Sequence, residues 1–268
     1  HRDLHSFPTR RSSDLNLAVT IVAIALFRVL RVTKLPDWFV KGAAVVCLAA
    51  LALVGIAWSF MMKAIPLSDQ DVLFSSAASL VKGDFSALQD TSGYEYFYFV
   101  RFPFQIGFLS YLELLVRAAG EQGTLILAPV LNVLMLVSGY VALLMTTQRL
   151  FRDNRATFLT LLLLCICVQP VLACTWIYGL IPALALTLWG VYFAVRFLQT
   201  GRIGALVPTA LFCAAAVYMK PNAWIGAAAI SIVLLLHALK TRGWKTAVVA
   251  ILLLALCYPL PKIAQAAY

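Results

Sequence analysis

Residues 42–62 read GAAVVCLAALALVGIAWSFMM, an apolar run without a charged residue. About 20 such residues in a row are what an α-helix needs to cross the hydrocarbon core of a bilayer. Lipid offers the peptide groups no hydrogen-bond partner, so a run of this kind hides them by becoming a helix. Comparable blocks recur at about 124–147, 156–175, 181–197, 203–219, 223–239 and 246–260, with a shorter one at 17–30. They predict an all-α polytopic membrane protein of seven full spans plus a truncated N-terminal span.

Composition agrees. The chain is 63% hydrophobic and 12% charged, against about 25% charged residues in a soluble domain. The net charge of +10 raises the question of nucleic acid. The cations, however, sit in short loops between apolar blocks, as cytoplasmic loops of membrane proteins do, and no nucleic-acid partner is expected. All six cysteines, Cys47, Cys165, Cys167, Cys174, Cys213 and Cys257, lie inside apolar blocks. No histidine stands near the Cys165, Cys167, Cys174 group, and zinc-type paired spacings are absent. These thiols read as small buried hydrophobes, and no metal site or cofactor is expected.

Residues 1–15, HRDLHSFPTRRSSDL, are polar and basic, and the composition switches abruptly at Asn16. Residues 5–15 resemble a sequencing-library adapter translated in frame, so the stretch is set aside as a scar. Residues 16–268 then form one transmembrane module, expected to be a fragment that continues beyond Tyr268.

Orientation follows from the cations. With the loop before Gly42 in the cytoplasm, the inner segments hold Arg28, Arg31, Lys34, Lys41, Arg149, Arg152, Arg155, Arg196, Arg202, Lys240, Arg242 and Lys245, beside only Asp37 and Asp153. Those twelve cations face six on the outer side, together with the acids Asp69, Asp71, Asp84, Asp90, Glu95, Glu113 and Glu121. The excess of Lys and Arg marks the cytoplasmic side, so the acidic stretch 63–122 is an outer loop.

That loop has a pattern of its own. Ser68 with Asp71 three residues later reads as a capping box opening a helix through about Lys82. Leu73, Ala77 and Leu80 form its apolar face, Ser75, Ser76, Ser79 and Lys82 the polar one, and Gly83 its terminator. A second amphipathic helix starts near Pro103, with Phe104, Phe108, Tyr111, Leu112 and Leu115 on one face. Glu113 and Arg117 are spaced to pair on it, and it ends at Gly120. Two such helices are expected to lie along the membrane surface.

No GxxxxGK[ST], GxGxxG or HExxH occurs, and His237, the one histidine beyond the scar, reads as an interfacial residue. What remains is Asp69, just past the end of span 42–62, where an aqueous carboxylate meets the headgroups. Such a group can take the proton of an attacking hydroxyl. Arg101 and Lys220 are outward cations able to neutralise a leaving phosphate. Tyr94, Tyr96, Phe97, Tyr98 and Phe99 offer faces for stacking a sugar. Each has a plainer reading as well: Asp69 and Asp71 as helix-dipole and capping residues, the aromatics as belt residues, Lys220 as a snorkelling cation.

The stretch Pro66-Leu67-Ser68-Asp69, followed by Ala77, Leu80 and Gly83-Asp84-Phe85, resembles the first outer loop of GT-C glycosyltransferases. The protein-mannosyltransferase (family 39) and lipid A aminoarabinose-transferase types are the nearest likeness. Tyr98-Phe99-Val100-Arg101-Phe102-Pro103-Phe104-Gln105 resembles their aromatic, basic, proline element, and Tyr218-Met219-Lys220-Pro221-Asn222 a later Lys-Pro element. The sequence departs from the pattern at Gln70 and Val100, where relatives often carry acids.

The resemblance implies an inverting enzyme of the bacterial plasma membrane and cell envelope. It would transfer a sugar from a polyprenyl-phosphate carrier to a glycan, lipid or protein acceptor on the non-cytoplasmic face. Asp69 takes the catalytic position, and Arg101, Lys220, Asp71, Tyr98 and Gln105 are candidate substrate-binding residues. The alternatives are a transporter or flippase of lipid-linked saccharides and a non-catalytic membrane assembly protein. Membrane-impermeant labelling of single cysteines introduced at 68–120 is expected to report the non-cytoplasmic face. Protection of those positions in intact cells overturns the orientation.

Overall fold

The computed structural model describes residues 34–62 and 65–241, with Arg28, Gly243, Trp244, Ala247, Val248, Ile251 and Leu252 beyond them. Among the described residues the fold is helical and has no strand. The main elements are α1 (Asp37–Met62), α2 (Asp69–Val81), α3 (Ser86–Gln89), α4 (Tyr94–Arg101) and α5 (Ile106–Phe151). They continue with α6 (Asn154–Ile166), α7 (Gln169–Leu172), α8 (Leu180–Thr200), α9 (Leu206–Met219) and α10 (Trp224–Thr241).

Four helices among the described residues are long and apolar enough to cross a membrane: Asp37–Met62, Pro103–Phe151, Leu180–Thr200 and Pro221–Thr241. Counting the bent pair Asn154–Ile166 and Gln169–Thr175 as one span makes five. Only 17% of the apolar window of α1 is buried, and Val45, Leu53 and Val54 stand open on its surface. In water that surface would oppose folding; in hydrocarbon it costs nothing. The protein is membrane-embedded.

Of the seven full spans expected, the described residues show these four, or five with the bent pair. The run expected at 156–175 is bent by 49° between Ile166 and Gln169. Pro170 is the cause: it has no N–H for the Ile166 carbonyl and its ring would clash with that carbonyl in a continuous helix, and the carbonyl takes the Val168 N–H at 3.0 Å instead. The block at 203–219 starts as a 3-10 turn and makes a helix only about 25 Å long. The expected stretches 17–30 and 246–260 lie outside the described residues but for Arg28, Ala247, Val248, Ile251 and Leu252.

The outer-loop helices form where the pattern places them. Leu73, Ala77 and Leu80 are buried, and Gly83, at φ +81°, ends α2. The Asp84 N–H reaches the Ser79 carbonyl and the Gly83 N–H the Leu80 carbonyl, both at 3.0 Å. That pair of bonds is the Schellman closure, which favours glycine at its left-handed position. The capping box does not form: the Ser68 side chain makes no cap bond. Instead the Leu67 and Ser68 carbonyls take the Gln70 and Asp71 N–H groups at 3.2 and 3.0 Å. Ser76, expected on the polar face, is buried and its hydroxyl has no partner.

The second loop helix runs on into the membrane as α5. Gly120, at φ 70° and ψ 173°, breaks it where the sequence predicts an end, and the Glu113–Arg117 pair forms at 2.6 Å. The aromatic stretch is helical too, as α4.

Helix α5 is the central post, with α1, α2, α6 and α8 packed along it, while α9 and α10 pack on α8. Leu73, Phe108, Leu112 and Ile177 fill the core at the loop end, Leu48, Val133, Leu136 and Leu161 the core between α1 and α6. Phe197, Leu206, Cys213 and Leu234 join α8, α9 and α10. Of the described cysteines, Cys174 and Cys213 are buried as expected, whereas Cys167 is exposed at the Pro170 bend.

Leu112 is fully buried and Leu114 is 63% exposed on the same helix. Leu112→Ala is expected to cost about 2–5 kcal/mol, the range for a leucine cavity in a packed core. In detergent its melting temperature should fall well below that of Leu114→Ala; equal melting of the two variants contradicts this packing.

Candidate functional site

Three breaks between α-helices meet at one end of the bundle: the turn before α2, the segment 176–179 before α8, and the corner at 220–223 between α9 and α10, where Pro221–Ala223 make a 3-10 turn. Each is held there for a local reason. The Asn132 side-chain amide on α5 donates to the carbonyls of Cys174 at 2.9 Å and Trp176 at 3.3 Å. The Ile177 N–H is taken up by Gln70 Oε1 at 3.2 Å, so both faces of the segment are tied to neighbouring helices. Gly179, at φ +72°, then turns the chain into α8. A Cβ at this position would stand 2.6 Å from the Met219 carbonyl oxygen and 2.9 Å from the Phe108 ring. A Cβ on Gly107 would overlap the Tyr218 carbonyl oxygen. Two glycines thus let the three corners close on one another.

The functional side chains follow from these corners. Asp69 is the first residue of α2, and Ser68 before it adopts φ 55° and ψ −124°, a left-handed backbone that a serine seldom takes. Asp69 Oδ2 accepts the Tyr178 hydroxyl at 2.6 Å. That hydroxyl in turn accepts Gln105 Nε2 at 2.8 Å, and the same amide reaches the Tyr98 hydroxyl at 3.2 Å. Lys220 donates to Gln105 Oε1 at 3.4 Å, its ammonium lying 3.3 Å from the centre of the Tyr178 ring. Contact with an aromatic face is one of the few ways to hold a cation out of water. Gln105, Tyr98 and Lys220 are all buried, at 2%, 6% and 7% exposure.

The electrostatics match. Burial lowers the Lys220 pKa to about 8, with the Asp69 charge partly opposing the drop. Burial, then the hydrogen bond to Asp69 and its charge, raise that of Tyr178, which therefore stays a donor at neutral pH. Burial chiefly, then Tyr178 and Asp69, raise that of Tyr98.

Asp69, Tyr178, Lys220 and Asn222 open onto a cavity of about 350 Å3, completed by Leu67, Trp176 and Leu180. Leu180, Lys220 and Asn222 are shared with a groove of about 220 Å3 between α8 and α10, lined further by Ala183, Leu184, Thr187 and Gly226. A chamber that holds one carboxylate and one cation in a largely apolar lining thus adjoins an apolar groove along two membrane helices. Such a shape fits a ligand with an anionic head and a hydrocarbon tail. A larger cavity of about 440 Å3 between α1, α5 and α6 is almost wholly apolar, and its acid, Asp37, is paired with Lys41 at 2.6 Å.

Of the residues singled out in the sequence, Asp69, Lys220, Tyr98 and Gln105 converge. Asp71 and Arg101 do not line the cavity. Asp71 is exposed two residues on from Asp69, about 200° round the helix, and Arg101 is exposed with its guanidinium 5.7 Å from the Phe102 ring. Tyr178 is the residue that sequence reasoning missed. A tyrosine before a glycine, between two apolar blocks, is the one signal it leaves, and belt tyrosines share it.

Because the folded pKa of Lys220 lies below its ordinary 10.5, the folded state is disadvantaged while the group is charged, and that disadvantage fades as pH rises from 8 to 10.5. Lys220→Met is therefore expected to raise the melting temperature at pH 7, with the gain shrinking towards pH 10. A gain that does not change with pH contradicts the buried charge. No family model matches the chain, and neither does any curated protein or solved structure.

Proposed function

We propose that this protein is a membrane glycosyltransferase that moves a sugar from a polyprenyl-phosphate carrier to an acceptor hydroxyl on the non-cytoplasmic face. The observation that carries the reading is the junction of the Asp69–Tyr178–Lys220 chamber with the groove between α8 and α10. A polyprenyl phosphate has the two properties this junction accommodates, an anionic head and a long hydrocarbon tail.

In this reading Lys220, charged at neutral pH, and the Asn222 amide receive the carrier phosphate. Asp69 Oδ2 is engaged by Tyr178, while Oδ1 has no hydrogen-bond partner among the described residues and faces the acceptor. The acceptor oxygen attacks the anomeric carbon from the side opposite the phosphate, and its proton passes to Asp69. The carbon–oxygen bond to phosphate breaks with its electron pair, leaving polyprenyl phosphate, and the sugar's configuration inverts. Lys220 offsets the charge that develops on the leaving oxygen, where a fixed cation in a low-dielectric setting is most effective. Tyr178 positions the carboxylate; Gln105 and Tyr98 hold Tyr178. The fuller architecture of the proposal is seven spans in a bacterial plasma membrane, with the described part of 63–122 outside and α2 and the first part of α5 along the outer surface.

A flippase or transporter is less well supported. Moving polar cargo calls for ionisable groups at mid-membrane. The described charges of α1, α8 and α10 stand near helix ends, and those of α5 stand at its final turns or near Gly120 and before it.

In proteoliposomes supplied with a radiolabelled polyprenyl-phosphate sugar, Asp69→Asn is expected to lower transfer by about a hundredfold or more, the usual contribution of a general base. Donor binding should remain. Transfer at the native rate by that variant, or passage of the saccharide across the bilayer without transfer, overturns the proposal.

A further inference from the structure

Helix α8 leaves the chamber at Leu180 and ends 21 residues later, about 30 Å away. At that far end Arg196 and Arg202 line a separate cavity of about 240 Å3, whose other walls are Phe193, Gly204, Ala205 and Pro208. Gly201, at φ +64°, closes α8 with its N–H on the Phe197 carbonyl at 2.8 Å, and so brings the two arginines to one cavity.

Among the described residues neither cation is paired with an acid. Asp153 is the last acidic residue of the sequence, and none occurs from 154 to 268. Asp153 itself accepts the Arg155 N–H at 2.9 Å as the cap of α6, and Asp37 is paired with Lys41. Both arginines are thus left to pair with an anionic group of another molecule. One wall of the cavity, Phe193, belongs to an aromatic stack. Phe193 stacks on Phe212 at 5.7 Å and 10°, and Trp189 continues the stack on Phe212 at 6.0 Å. Val207 and Leu211 on α9 stand exposed nearby along the same helix. Planar guanidiniums suit phosphate oxygens, and a flat aromatic wall leading away from them, along membrane helices, suits an acyl chain.

We infer that Arg196 and Arg202 bind the phosphate headgroup of an anionic phospholipid whose acyl chain lies against Phe193 and Phe212. This is a bilayer lipid, held at the end of the bundle opposite Asp69, and the site stands whether or not Asp69 is catalytic. Basic pockets between membrane helices carry this kind of recognition.

The test uses the full chain, purified in zwitterionic detergent and titrated with phosphatidylglycerol, phosphatidylcholine or inorganic phosphate, with bound lipid read by native mass spectrometry. Phosphatidylglycerol should bind about tenfold more tightly than phosphatidylcholine, and the double variant Arg196→Gln, Arg202→Gln should abolish that preference. A preference that survives in the variant, or inorganic phosphate that competes as well as the lipid, overturns the inference. Should the variant not fold, a photoreactive phosphatidylglycerol on the native chain decides it. Crosslinks within 193–212 support the site, and crosslinks confined elsewhere refute it.

Discussion

The site depends on one constraint: backbone that leaves the helix inside an apolar bundle must still find partners for its N–H and C=O groups. The stretch from Ala173 to Gly179 meets that demand through two side chains, Asn132 from the post helix and Gln70 from the outer loop. Because they reach it from different elements, the segment is fixed in position as well as satisfied. Tyr178 inherits that position. The outer loop is tied down by the same contact, since Gln70 is the neighbour of Asp69 and cannot move without releasing Ile177. A glutamate in place of Gln70 could still accept from Ile177. It would add a buried negative charge beside Asp69.

Among the described residues Asp69 and Lys220 make no direct ion pair. The phenol of Tyr178 stands between them, its hydroxyl on the carboxylate and its face on the ammonium. A direct pair would leave each charge spent on the other, and separating it to admit a substrate would cost several kcal/mol per buried ion. The intervening ring keeps both charges oriented and leaves each with unused valence towards the cavity. Gln105 makes the arrangement rigid, its amide nitrogen holding two phenols while its oxygen takes the lysine.

Legibility in the sequence tracked how local each cause is. The helix 69–81 and its end at Gly83 were readable from apolar spacing and a single glycine, and the break at Gly120 likewise. The Pro170 bend was written in the sequence as plainly, but a hydropathy block takes no account of a missing N–H. Ser68 signalled a capping box and instead took a left-handed backbone with no cap bond from its side chain. Tyr178 lay beyond local reading altogether. It is 109 residues from Asp69, and no periodicity links the two. Asp71 and Arg101 show the converse: residue type and neighbourhood made them plausible, and helix rotation turned them outward.

The short reach of Ile203–Met219 bears on the membrane itself. At about 25 Å it falls short of a hydrocarbon core of about 30 Å, and Lys220 caps its end. Tilting only shortens such a reach further, so a helix of this length crosses a bilayer only where the bilayer pinches inward or admits water, at a fraction of a kcal/mol per Å of mismatch. The dimple would draw the headgroup plane down to the lysine, so membrane thickness becomes a variable of the site: thin, short-chain lipids relax the dimple and thick, sterol-like ones deepen it.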